Sequence, residues 1–138
     1  MLLDMYKTML SIRAFETKAA ECFTKGMLAG NIHLCIGQEA VPTGACYALE
    51  PEDYMTSTHR GHGHCIAKGA SLDKMLAELF GKKTGYCQGK GGSMHIADVA
   101  GLHSLGANGI VGAGIPIAAG SALVSKIKGD KHVTLCFF

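Results

Sequence analysis

Tryptophan is absent from the 138-residue chain and aromatic residues make up only 7% of it, whereas glycine occurs nineteen times. That is nearly twice the average usage of about 7%, so much of the backbone is expected in tight or closely approached conformations. The glycines follow no three-residue period, which excludes a collagen-like chain. No apolar run approaches the ~18 residues of a membrane span. The first ten residues, "MLLDMYKTML", lack the basic region and the small-residue cleavage site of a secretory leader. A soluble, cytoplasmic chain that binds no membrane is the expectation. The net charge of +2 is small and its Lys and Arg are scattered, which argues against a nucleic-acid partner, and any anion that binds is expected to be small. The six cysteines contain no CxxC pair, so neither a disulfide framework nor a cysteine metal site is expected, and they read as reduced packing residues.

What is present is globular in balance, at 48% hydrophobic and 17% charged, with no internal repeat and no linker. One domain, or part of one, spans residues 1–138. Apolar residues at Leu2, Met5, Tyr6, Met9, Ile12, Phe15, Ala19, Cys22 and Phe23 are spaced by threes and fours and predict an amphipathic helix. A second helix is predicted over "GQEAVPTGACYAL", and a third over "SLDKMLAELFG" with Ser71 as N-cap and Gly81 as its stop. Pro116 opens a fourth, closed by Gly129. "YMTST" reads as a strand and "HVTLCFF" as a nearly continuous apolar strand of the buried kind. Residues 81–95 read as a long glycine-rich loop, and loops of that length are usually functional or disordered.

The densest chemistry is "HRGHGHCIAKG", where His59, Arg60, His62 and His64 follow a strand end, the usual place for ligands in open α/β sheets. Three readings compete. A metal site needs converging imidazoles, and His62 with His64 on an extended segment would face one side, but Arg60 between the histidines repels a cation. An anion site with proton transfer suits Arg60 better, because its planar fork binds phosphate oxygens while histidine titrates near neutral pH. The third reading is a solvent-facing polar loop. Elsewhere, "GYCQGKGG" misses the P-loop spacing by one residue and lacks its Ser or Thr. "GANGIVGAG" is out of register for a dinucleotide fingerprint and has no predicted strand before it. It is either a tightly packed helix start or a place where Gly109 and Val111 offer backbone groups to a ligand.

Four stretches together, "GNIHLCIGQEAVPTGACYAL", "TSTHRGHGHCIAKG", "MLAELFGKKTGYCQGKGGSMHIAD" and "GANGIVGAGIPIAAGSAL", resemble in order and spacing the N-terminal half of one family. It is the alpha subunit of the thiamine-diphosphate-dependent first component of 2-oxo acid and acetoin dehydrogenases. "HRGHGH" is closer to the acetoin branch. The resemblance implies an α/β chain, the N-terminal part of a three-layer thiamine-diphosphate-binding fold with a parallel sheet. It implies an alpha2-beta2 heterotetramer that cleaves acetoin or a 2-oxo acid such as pyruvate and passes the acyl unit to a lipoyl acyltransferase.

Carried over position by position, His59 and Arg60 match the pair contacting the diphosphate. Gly109 and Val111 match the backbone contacts to the aminopyrimidine, with Ile110 between them, and His33 and His62 match histidines near the reacting thiazolium. The glutamate that activates the pyrimidine belongs to the beta subunit. The magnesium ligands of the family, a Gly-Asp-Gly motif and an asparagine, are expected downstream of "VTLCFF", so residues 1–138 are expected to form an incomplete domain. Alternatives are a truncated, non-catalytic interaction module that keeps the alpha/beta interface, and a metal-dependent hydrolase built on His59, His62 and His64.

Overall fold

The computed structural model describes residues 1–138. Five helices, α1 (Leu2–Thr24), α2 (Ala40–Cys46), α3 (His62–Ala67), α4 (Leu72–Leu79) and α5 (Gly114–Lys128), are interspersed with β1 (Tyr54–Thr58), β2 (Ser104–Asn108) and β3 (Thr134–Cys136). The strands form one parallel sheet in the order β2-β1-β3, which makes β1 central. The α/β class and the parallel sheet are as the resemblance implies.

Alternation along β1 sets the layers. Met55 is fully buried in a core with Ile12, Phe15, Cys65 and Met75, drawn from α1, α3 and α4. Thr56 points to the opposite face, where α5 packs on β1 and β3 so closely that a Cβ on Gly114 would lie 3.1 Å from Thr56 Oγ1. The sheet therefore lies between two helical layers. On α1 the predicted period is realised, since Ile12, Phe15, Ala19 and Cys22 are buried at steps of three and four. The outer face of α5, with Leu123, Val124 and Ile127, is exposed. No helix is long and apolar enough to cross a membrane.

Four local expectations change. The second helix is shorter than predicted, covering only Ala40–Cys46. β2 was not foreseen: "SLGAN" has weak strand propensity, and its pairing with β1 overrides it. β3 is half-buried rather than buried, and Phe138 beyond it is 78% exposed. "HGHCIA" is helical, not extended. Its poor intrinsic helix formers are held there by close contact. A Cβ on Gly61 would lie 2.6 Å from Ser57 Oγ, and one on Gly63 would lie 2.7 Å from Cys35 Sγ.

All six cysteines are free, four of them buried. Burial pushes the Cys35 and Cys46 thiols up to about 11 and Cys65 up to about 12, which leaves almost no thiolate at neutral pH. Alkylation of the native chain, followed by mass spectrometry, is expected to modify half-buried Cys87 and Cys136 while sparing these three. Equal labelling of Cys65 and Cys136 would contradict that packing role.

Candidate functional site

A cleft of about 430 Å³ opens at the carboxyl ends of the strands, where the chain leaves the sheet. His59 and Arg60 reach it from the end of β1, Phe137 and Phe138 from the end of β3, and Val111 from the turn after β2. Gln38 lines the far side. Arg60 Nη1 donates to the Leu34 carbonyl at 2.9 Å, and its backbone N–H donates to Thr58 Oγ1 at 3.2 Å. The salt bridges of the chain involve other cations, so the Arg60 guanidinium has no carboxylate partner. His33 stands edge-on to His59 with ring centroids 5.2 Å apart, and Nδ1 of each ring is buried without a hydrogen-bond partner.

Because residues 62–67 are helical, His62 and His64, two positions apart, point to opposite sides of the helix instead of to one side. His62 turns inward and is fully buried, with Nδ1 3.0 Å from Glu16 Oε2 and Nε2 3.0 Å from Ser93 Oγ. His64 lines the cleft, sharing a 2.7 Å hydrogen bond with Ser57 and stacking on Phe137 at 3.8 Å between centroids. Burial, with a smaller contribution from His62, pushes His64 down to about 4, so it is neutral near pH 7. The resemblance gives His64 no role and implies a place for His62 near the reacting centre. The geometry brings His59, Arg60 and His64 together at the cleft, and a His62 role in contact with a ligand finds no support in it. The hydrolase alternative loses its geometry for the same reason: both His62 nitrogens are engaged, and no group of three or more His, Cys, Asp or Glu side chains converges.

Residues 6–138 match the family described as "Dehydrogenase E1 component". The chain belongs to that family. It is 60% identical over 134 residues to the alpha subunit of acetoin:2,6-dichlorophenolindophenol oxidoreductase of Bacillus subtilis, covering 97% of this chain and 40% of that protein. The protein of the same description from Cupriavidus necator is 48% identical over 136 residues, covering 99% and 40%. A human pyruvate dehydrogenase E1 component subunit alpha, the testis-specific mitochondrial form, is 40% identical over 136 residues, covering 99% and 34%. The chain thus spans about a third to two-fifths of the length of these relatives.

In this E1 chain the glycine-rich loop has an internal occupant. Glu78, at the end of α4, is fully buried, and its Oε2 accepts the backbone N–H groups of Cys87 at 2.8 Å and Gly89 at 2.9 Å. Its Oε1 accepts those of Gly91 at 2.7 Å and Gly92 at 3.1 Å. Four converging amides are a ready anion cradle, and here the chain's own carboxylate fills it. The loop therefore binds no phosphate through those amides, which is why it resembles a P-loop without being one. Folded this way it sets Ser93 beside His62 and His95 against the turn after β2, where a Cβ on Gly109 would lie 3.3 Å from His95 Cε1. In that turn Gly109, Ile110 and Val111 are exposed, and the Ile110 amide is spent on Asn108 Oδ1 at 2.8 Å. Gly109 and Val111 make no backbone hydrogen bond within the chain.

Glu78→Gln turns an amide group towards four N–H donors and leaves at least one unpaired, a cost of about 1–3 kcal/mol. Urea denaturation is expected to show that loss, and an unchanged midpoint would contradict it. The unfolded His64 binds protons near pH 6.5 that the folded site excludes until about 4, so stability falls as pH drops through that window. The stability difference between the wild-type chain and His64→Phe is expected to change across that window by up to about 1.4 kcal/mol per pH unit. A difference constant with pH would contradict a neutral buried His64.

Proposed function

We propose that residues 1–138 carry the diphosphate-holding side of the active site in a thiamine-diphosphate-dependent E1 alpha subunit. The observation that carries this is Arg60 at the end of the central strand, bonded to one backbone carbonyl and to no carboxylate, with His59 beside it. A planar guanidinium with unused N–H groups fits two phosphate oxygens. The unpaired, buried Nδ1 of His59 is a polar atom that a ligand oxygen can satisfy. The residues present therefore fit the anionic end of the cofactor.

Thiamine diphosphate, when bound, supplies a ring carbon that attacks a carbonyl and accepts the electrons of the carbon–carbon bond that breaks. The chain's own residues bind and orient. Arg60 and His59 hold the diphosphate, and the free backbone groups of Gly109 and Val111 face the aminopyrimidine. Ile110, with its amide engaged, contributes through side-chain contact only. His33, beside His59, is the histidine placed to hold or move a proton at the reacting end. Magnesium would assist at the diphosphate, with oxygen ligands that the family resemblance assigns outside residues 1–138.

The whole protein in this proposal is a cytoplasmic alpha2-beta2 heterotetramer that hands its acyl unit to a lipoyl acyltransferase. Identities of 60% and 48% to acetoin-named relatives, against 44% and 40% to pyruvate-named ones, support acetoin over pyruvate as substrate. The second reading, a non-catalytic interaction module, draws on the exposed apolar face of α5.

Arg60→Ala in the alpha subunit assembled with its beta partner is expected to weaken thiamine diphosphate binding about 10- to 100-fold by calorimetry, the worth of a charge-assisted contact. Unchanged affinity would refute the phosphate role and favour the interaction module.

A further inference from the structure

Residues 31–37 have no regular secondary structure, yet they carry His33 against the ring of His59, which lines the cleft, and Cys35 into the core. Side chains take the place of a neighbouring strand. The His33 N–H donates to Ser93 Oγ at 3.2 Å and the Cys35 N–H to Glu16 Oε1 at 2.9 Å, while the Leu34 carbonyl accepts from Arg60. In an extended backbone the amides of residues 33 and 35 point to one side and the carbonyl of 34 to the other. The two acceptors on the inner side are themselves bridged by His62, through its 3.0 Å bonds to Glu16 and to Ser93.

Proton accounting gives the chain a single direction. An ionised Glu16 accepts only, so His62 Nδ1 must carry a proton and donate. A neutral ring then accepts the Ser93 hydroxyl proton at Nε2, and the Ser93 oxygen accepts the His33 N–H. Every polar atom is satisfied. A doubly protonated ring would give Ser93 two donors and leave its own hydroxyl proton without an acceptor.

We propose that Glu16, His62 and Ser93 form a buried strut that positions the segment bearing His33 and the Leu34 carbonyl that anchors Arg60. This deepens the proposed function and rests on it, because the segment it holds abuts His59 and anchors Arg60, both of which line the cleft. The order acid, imidazole, hydroxyl is that of a hydrolase triad, but Ser93 is buried and its oxygen is occupied by the His33 amide, so it is no nucleophile. All three are positioning residues. The strut also ties the cleft to the glycine-rich loop, since Ser93 follows directly on the amides that hold Glu78.

Residue-resolved hydrogen exchange on the full-length subunit with its partner tests this. In the unsubstituted protein the amides of His33 and Cys35 are expected to exchange slowly and that of Leu34 fast, an alternation no helix or loop core would give. Uniform exchange across 33–35 would overturn the proposal whether or not any variant folds. Ser93→Ala is expected to speed exchange at His33 about tenfold, the worth of one hydrogen bond, while leaving Cys35 protected. It should also lower kcat more than it changes KM, and Ser93→Thr, which keeps the hydroxyl, should restore both. Unchanged His33 exchange in Ser93→Ala, or failure of Thr to rescue, would overturn it. If the unsubstituted protein fails to bind inorganic diphosphate, the functional reading falls, while the exchange pattern still decides the strut.

Discussion

A carboxylate taken out of water costs several kcal/mol unless donors surround it, and Glu78 is surrounded by four backbone amides from one loop. That requirement folds the loop. Its small residues allow the backbone to turn in on the side chain of α4, and the rest of the cleft depends on the result. Ser93 reaches His62, His95 meets the turn after β2, and the segment holding His33 gains the hydroxyl that fixes it. A loop that resembles a phosphate cradle in sequence is thereby committed to internal architecture, and the site proposed for an external anion lies at the strand ends instead.

Glu16 performs the same task on the opposite wall. It lies on the buried face of α1, where an acidic residue is out of place by hydropathy, and it is tolerated because His62 and the Cys35 amide both donate to it. Two helices that would otherwise only pack thus each lend a carboxylate to irregular backbone. The apolar core built by Ile12, Phe15, Met55 and Met75 holds the helices, and the carboxylates convert that rigidity into placement of the cleft residues.

The long elements were legible in the sequence because their apolar periods extend over several turns, as in α1, or because punctuation is unambiguous. Gly129 is such a stop, closing α5 in the left-handed conformation at φ 74°. The position of His59 and Arg60 beyond a strand end was legible for the same reason. Residues 62–67 were not, since a run so short and centred on a glycine carries no period, and its helical state follows from contacts with Ser57 and Cys35 that lie elsewhere in the chain. Read as extended, the run would have put His62 and His64 on one side, whereas the helix turns His62 into the core and His64 to the cleft. β2 was hidden likewise, being made a strand by its neighbour β1 rather than by its own residues.

The central claim is that this E1 chain separates two anion sites, an internal one filled by Glu78 and an external one served by Arg60 and His59. A crystal structure of the assembled subunits with thiamine diphosphate bound tests it most directly. The account predicts diphosphate oxygens within hydrogen-bond distance of Arg60 and His59, with the amides of residues 87–92 still on Glu78. Diphosphate seated on those amides, or bound without contact to Arg60, would contradict it.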